Sequence, residues 1–533
     1  MKKFIYPFFV LLLLPSNFFP QWSTDPNNNL IVGYGLDPHI CSDSAGGCYI
    51  TYDYNSTSYP RWLALERLDK YGYKPWGINK RILGELPGQS KAQIIEDGES
   101  GVIISYEDRE EATGWTARIR IQRVDSNGNF LWGPTGVKVT LDEINQGSQK
   151  IVSDGEGGAV IVWVNTLAEY KVNRISSEGQ RMWGDSGIVA GLNGWYDPAL
   201  LARTTDNKYV VSAERNTIKY FDENGNAFYN NSLDFWLFNI ISDGTGGVVL
   251  SGKVWNGMIP KLVAQRRDSL GNNLWQEPYV EIADSLYINS PVGIRELNGY
   301  YYYYWYGYKN GIELVTQYQV LRPNSTKLFS NGSIAVSNYP VDALLADILP
   351  SDTEAVVFIW QDYRPDDGVF GQRKDTLNNK LWNLNDVPIY TGMYSDLYSI
   401  TDGMGGAIGL GWHQFDFSIR SFKVSKNGIL GEVITNIDDQ KNLILTDEIV
   451  LYQNFPNPFN SYTKIKLQLP EESRIKIELY NVLGENIQTF VDGFYSEGAH
   501  TFDFSSGKLT SGIYLYKLQT ETKSLTKKLL IIK

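Results

Sequence analysis

Two cysteines and three histidines among 533 residues leave little material for a metal centre or a thiol active site. No Cys-x-x-Cys redox motif is present, and no Gly-x-Ser-x-Gly elbow carries a strand into a helix. Basic residues are also short: 48 Lys and Arg stand against 60 Asp and Glu, for a net charge of −12. Binding a phosphate backbone needs clustered cations, so nucleic acid is excluded as a partner. Beyond Leu14 no apolar run approaches the roughly 20 residues of a membrane span, and no transmembrane segment is expected.

What is abundant is aromatic, with 35 tyrosines and 15 tryptophans, a composition that favours β-structure. Ile151-Val-Ser-Asp-Gly-Glu-Gly-Gly-Ala-Val-Ile-Val-Trp163 gives the pattern: a strand, a Ser-Asp-Gly turn with paired glycines, and a longer apolar strand ending on an aromatic. Variants begin near Ile40, Ile94, Ile240 and Ile400, with degenerate ones near Leu200, Gly293 and Leu345. A later landmark, Asp125-Ser-Asn-Gly-Asn-Phe-Leu-Trp132, is matched at Asp268–Trp275 and Lys374–Trp382, and loosely at Asp69–Trp76 and Asp222–Phe228. In the best copy Lys171–Ile175 is a third strand and Met182-Trp183-Gly184 opens a fourth.

A four-stranded antiparallel unit repeating at roughly 50 residues is a propeller blade. Residues 21–436 are therefore expected to form an all-β propeller of eight blades, with seven as the alternative if one degenerate unit forms none. Trp22 and Leu30-Ile-Val32 read as a stray fourth strand that completes the last blade and leaves no open edge. Residues 1–20, a basic head and an apolar run from Phe4 to Leu14, read as a secretory signal peptide, and no nearby cysteine suggests a lipid anchor. Residues 437–449 are a polar linker, and 450–533 a small β-sandwich of short alternating strands.

That tail resembles a known family. Leu451-Tyr-Gln-Asn-Phe-Pro-Asn-Pro-Phe-Asn460, Tyr480-Asn-Val-Leu-Gly-Glu485, Ser511-Gly-Ile-Tyr514 and Lys527-Lys-Leu-Leu-Ile-Ile-Lys533 are similar, in order, to motifs of the type A C-terminal sorting domain of the type IX secretion system. The resemblance implies export across the outer membrane, with the secretion machinery as partner and release or surface attachment as the outcome. It also implies that Gly512, Tyr514, Lys527, Lys528 and Lys533 belong to the sorting signal. The repeats look like those of uncharacterised propeller proteins that accompany such tails, which carries no activity.

Antiparallel connectivity puts first-to-second and third-to-fourth turns at one end of a propeller, and second-to-third loops and inter-blade crossings at the other. The first set is nearly constant from unit to unit, while the second varies freely, so ligand recognition is expected at the variable end. Candidate ligand-face residues are Trp62, Trp115, Trp255, Tyr308, Asp362, Tyr363, Arg364 and His413. The recurring Asp43, Asp97, Asp154, Asp243, Asp352 and Asp402 lie in different blades, so they are expected to bond their own turns and not a shared metal. Asp108-Arg109 with Gln122-Arg123, and Asp362-x-Arg364 with Gln372-Arg373, could clamp a sugar, but their recurrence favours an ion pair bracing the blade. Trp132, Trp183, Trp275 and Trp382 recur at one position and are assigned to packing. Cys41 and Cys48 flank a tight turn, where a disulfide could staple the hairpin of an exported protein.

No catalytic residue, metal ligand or cofactor is assigned. The reading favoured is a secreted or surface propeller that binds a glycan or surface protein. The alternatives are a propeller glycosidase or lyase acting on extracellular polysaccharide, since carboxylates are plentiful, and a spacer without a ligand.

Overall fold

The computed structural model describes residues 22–432 and 449–531, less positions 55–60, 78–80, 85–87, 110–115, 193–198, 257–258, 276–277, 285–292, 310–312, 331, 338, 340–342, 353, 365–366, 383–385, 393, 414, 452–453, 455–456, 458, 460–461, 470–472, 483, 496–497, 508 and 521–522. The expected signal peptide, almost all of the expected linker, Trp115 and Lys533 lie outside the described residues. The chain divides into two compact units, Met1–Val433 and Ile434–Lys533.

Every regular element of the described residues is a β-strand, and the larger unit is a succession of antiparallel repeats: four form separate four-stranded sheets, the last and first share a seven-stranded sheet, and the sixth and seventh share an eight-stranded one through a single parallel contact of Val315 with Ala343. The second repeat is representative: Gln89–Glu96, Val102–Arg109, Ala117–Val124 and the short Val137–Lys138 pair in sequence order. Its second strand is buried almost throughout, because sheets cover it on both sides, and this is why such strands read as unbroken apolar runs. The first strand of each repeat lies against the first strand of the next, and Leu397–Thr401 of the last lies against Leu30–Ser42 of the first.

Leu30–Ser42 serves two sheets. Leu30–Tyr34 pairs with Ser418–Ser421 and completes the last sheet, whereas Gly35–Ser42 pairs with Cys48–Tyr54 and opens the first. The stray strand expected from the sequence thus joins the two ends of the unit.

A second device links consecutive repeats. Trp132 Nε1 donates to the Ser177 carbonyl at 2.9 Å, Trp183 to Glu223 at 3.1 Å, Trp275 to Pro323 at 2.8 Å and Trp382 to Lys426 at 2.7 Å. Each acceptor lies in the third-to-fourth turn of the following repeat. The ring sits so close to that turn that a Cβ at Gly428 would come within 2.7 Å of Trp382, which the glycine also avoids by adopting φ +75. Trp76 hooks Ser126 in the same way, at 3.0 Å. The last repeat has no tryptophan at this corner, and Trp22, from the start of the described chain, donates to Lys70 of the first repeat at 2.9 Å.

Two local expectations are corrected. Met182-Trp183-Gly184 does not open the fourth strand of its repeat, which runs Ile188–Gly191, because Trp183 turns inward to its hook and a second turn intervenes. In the shortened fourth repeat the corner ring is Tyr229, packed on Gly271 of the next repeat, while Phe228 is exposed.

The smaller unit has two antiparallel sheets around one apolar core of Leu467, Ile477, Leu479, Tyr516 and Leu529, among others. In one sheet Tyr462–Leu469 pairs with Gly498–Ser505; in the other Ser473–Asn481 lies between Asn486–Tyr495 and Gly512–Gln519, and Ser524–Ile531 closes the edge.

Candidate functional site

At the turn end four of the recurring aspartates, Asp43, Asp97, Asp154 and Asp243, are consumed by their own repeats, while Asp352 also holds Lys426 of the next repeat at 3.1 Å. Asp97 Oδ1 accepts from the Glu99 and Gly101 amides, both at 2.7 Å, and Oδ2 accepts from Arg123 Nε at 2.9 Å. Asp43 with Arg67, Asp154 with Arg174 and Asp243 with Arg266 repeat the arrangement at 2.9, 3.0 and 2.8 Å. The Gln of the Gln-Arg pair holds the corner tryptophan, since Gln122 Oε1 accepts from the Trp132 amide at 3.0 Å and Gln372 from that of Trp382 at 3.1 Å. These groups are spent on structure, and no cluster of three or more His, Cys, Asp or Glu that could hold a metal occurs among the described residues.

The candidate ligand-face residues that the structure describes belong to the loop end, spread over several repeats. Trp62 is half-buried at the start of a third strand. Trp255 is 55% exposed beside Lys253, whose ammonium lies 4.3 Å from the ring centre. Tyr308 belongs to strand Tyr300–Lys309. Tyr363 is exposed, but Asp362 is fully buried, holding Arg364 Nε at 2.7 Å and Trp360 Nε1 at 3.0 Å. Arg364 in turn lies 3.6 Å from the centre of the Phe370 ring. Asp362 and Arg364 therefore brace their repeat. His413 contacts Asp416 at 2.9 Å, next to Phe415, which is 81% exposed. Trp236, Tyr34 and Tyr339 add exposed rings at this end, whereas the turn end exposes mainly aliphatic side chains such as Leu131, Leu274 and Leu377.

Between the first and second repeats the loop end holds a cavity of about 520 Å³ lined by Asp37, Asp53, Arg61, Gln89, Lys91 and Arg109, among others. Its origin is a bulge in each first strand. The register skips from Leu36 to His39 in one repeat and from Ser90 to Gln93 in the next, placing Asp37 and Lys91 at matching positions with φ 51 and 53. Opposite them Asp53 and Glu107 also correspond, pairing with Leu36 and Ser90. In the second repeat the matched positions form an ion pair, Lys91 to Glu107 at 3.0 Å. In the first they carry two acids.

Burial and the Asp37 charge push the Asp53 carboxyl up to about 7, while the hydrogen bond from His39 holds Asp37 below its usual range. Asp53 is 2% exposed; Arg61 lies 3.5 Å from Oδ2, and Oδ1 has no partner among the described residues. Arg109 Nε is likewise buried without one. Repeat patterning in the sequence does not single out this acid pair, although overlaying the first two repeats exposes the exchange of Lys91 and Glu107 for Asp37 and Asp53.

Cys41 and Cys48 are both buried and free, and the expected bridge is corrected. The register pairs Cys41 with Tyr49 and Ser42 with Cys48, so alternation sends the two thiols to opposite faces of the sheet. Burial raises both thiols well above their ordinary range.

In the smaller unit Gly512 and Tyr514 lie on the strand that pairs with the last one, opposite Ile531 and Leu529, and Lys527 and Lys528 are exposed on that last strand. Asn457 and Phe459 fasten it: Asn457 Oδ1 accepts from the Leu530 amide at 2.7 Å, and the Phe459 amide donates to the Leu530 carbonyl at 3.0 Å.

Solved structures similar to the chain include BamB from Moraxella catarrhalis (11% identity, 76% of this chain and 98% of that one, TM-score 0.36). A polysaccharide lyase, an ulvan lyase bound to -[GlcA(1-4)Rha3S]-, shares 9% identity over 80% of this chain and 100% of that one, with TM-score 0.40. PorZ, a surface component of the type IX secretion system of Porphyromonas gingivalis, shares 8% identity over 95% of this chain and 100% of that one, with TM-score 0.19. These likenesses are too distant to transfer a ligand or an activity. No curated protein matches the chain. Among protein families, residues 453–533 match the secretion system C-terminal sorting domain, and by this tail the chain is one of the proteins that the type IX system secretes or attaches to the outer cell surface.

Proposed function

We propose that the chain is an exported binding protein: an eight-bladed propeller, closed by Leu30–Tyr34 and Trp22, that takes a glycan at its loop end and travels on a sandwich-type sorting tail. The division of exposed side chains carries the reading. Trp236, Trp255, Tyr363 and Phe415 present flat apolar faces at the loop end, of the kind that stack on sugar rings, whereas turns such as those of Asp97 and Asp154 are filled by their own hydrogen bonds. A glycan array probed with the full chain tests it. Binding should fall at least tenfold in Trp255→Ala or Trp236→Ala with the melting temperature held, and a chain that captures no glycan overturns it.

A second reading, an enzyme acting on extracellular polysaccharide, draws on one observation. Asp37 and Asp53 line a single cavity with their proton affinities pushed apart, the arrangement a general acid and its partner require. Release of reducing ends or unsaturated sugars by the full chain, lost in Asp53→Asn, would establish it in place of binding alone.

A further inference from the structure

The cavity between the first two repeats gathers charges of both signs around one space. In a chain of net charge −12 it gathers three cations, Arg61, Lys91 and Arg109, around two carboxylates, Asp37 and Asp53. Two of these five groups have a buried polar atom with no partner among the described residues, Asp53 Oδ1 and Arg109 Nε. Leaving such an atom unpaired costs about 1–3 kcal/mol, more when the group is charged. The second repeat shows that the same backbone accommodates a neutralising pair, Lys91 with Glu107 at 3.0 Å. The first repeat forgoes it, which leaves donors and acceptors facing a common space of about 520 Å³, room for one or two sugar rings.

We propose that this cavity binds an anionic sugar residue, its carboxylate or sulfate ester held by Arg109 and Arg61 and its ring hydroxyls donating to Asp37 and Asp53. A guanidinium offers the planar fork that such an anion accepts in two parallel bonds. An acidic peptide would satisfy the cations equally, but the paired carboxylates would repel it and find no hydroxyl to accept from. A neutral sugar would satisfy the carboxylates and leave Arg109 without its anion. Only a ligand that is both hydroxylated and anionic completes both sets.

The arrangement also sets a dependence on pH. The charged or titratable groups facing Asp53 are Asp37, itself bonded by His39, on the first strand; Arg61 at the entry to the third strand; and Lys91, Glu107 and Arg109 of the second repeat. Asp53 takes up a proton near neutrality, and its neutral form no longer repels the anion. Between pH 6 and 8 the neutral fraction of a group titrating near 7 falls from about nine-tenths to about one-tenth, so affinity should weaken by up to about tenfold.

The inference rests on the loop-end glycan reading, and calorimetric titration of the full chain separates the two. The probes are a galacturonic acid oligosaccharide, a sulfated oligosaccharide, a neutral oligosaccharide of equal length and an acidic peptide. At least one anionic saccharide should bind, more tightly at pH 6 than at pH 8, and the one that does identifies the anion. Asp53→Asn should keep the tighter affinity and lose the pH dependence. Arg109→Met should lose at least tenfold at both pH values, with Arg109→Lys recovering part of it; both Arg109 variants should keep a cooperative melt close to that of the parent chain, and Asp53→Asn should melt no lower than the parent at either pH. Equal binding of the neutral probe, binding of the peptide alone, or a pH dependence that survives Asp53→Asn overturns the proposal. If array glycans bind through Trp255 and Trp236 while Arg109→Met is without effect, this inference fails and the broader reading stands. If no saccharide binds, both fail.

Discussion

At the turn end of the second repeat, Asp97 meets two backbone amides and the Arg123 guanidinium within 3 Å, and nothing on the carboxylate is left to offer. At the loop end of the first repeat, Asp53 is as deeply buried, yet one of its oxygens has no partner among the described residues. Both are aspartates on one sheet architecture. Where the surroundings close its hydrogen bonds, as at Asp43, Asp97, Asp154 and Asp243, the residue serves the fold and recurs from repeat to repeat. At Asp53, which lines the loop-end cavity, one oxygen is left without such a partner, and the second repeat carries Glu107 in its place.

The comparison is most severely tested by removing what the turn end is built on. Trp22→Ala takes away the hook that the last repeat borrows and empties a buried site beside Gly72, so the unit should lose about 3–5 kcal/mol. A thermal melt of the full chain should show the drop, and an unchanged transition would mean that the ends are not held by this contact. Next in size, Asp97→Ala frees the Glu99 and Gly101 amides and leaves Arg123, which is 7% exposed, with Glu99 at 2.8 Å as its remaining carboxylate, and should cost about 1–3 kcal/mol. Arg109→Met at the loop end should cost far less, since the Nε it removes has no partner to lose. Equal losses at the two positions would erase the distinction between the ends.

A last effect runs the other way. The Asp53 carboxyl titrates near 7 in the folded chain against 3.8 for the free group, so the native state holds its proton more tightly. Stability should therefore fall as pH rises from about 4 to about 7 and then level off. Asp53→Asn, which cannot ionise, should raise stability at pH 8 by on the order of 1–3 kcal/mol and give no gain near pH 4. Denaturant melts at the two pH values measure the difference, and a gain of the same size at both would reject it.

The same contrast explains what is legible in the chain without its structure. The Asp-Gly turn with its paired glycines and the later turn that ends on Trp stand out because most repeats solve the same problem with the same groups, and Leu30-Ile-Val32 is recognisable as a strand without a sheet. The corner residues are harder to place. Trp183 reads as part of a strand although its indole reaches sideways into the next repeat, a contact that local periodicity does not encode. The candidate ligand face mixes exposed rings with Asp362 and Arg364, which only the surrounding Trp360 and Phe370 reveal as a brace. The cavity is hidden because it arises from a difference between two repeats at a bulge, while a search for repetition selects what they share. The thiol pair turns on register: a shift of one position on either strand would have placed Cys41 and Cys48 on one face.

The borrowed strand has a consequence in time as well as in space. Asn29 bonds Ile389, 360 positions along the chain, and Leu30 pairs with Ser421. The second to fifth repeats can each pair their own strands, but the sheet shared by the two ends cannot close early, since the partner of the first strand is among the last residues of the unit to appear. Contacts of such long range make closure slow. A polypeptide leaving a translocation pore amino end first would thus remain an unlatched series of sheets for most of its passage, and would become a ring only once the whole unit had arrived on the far side.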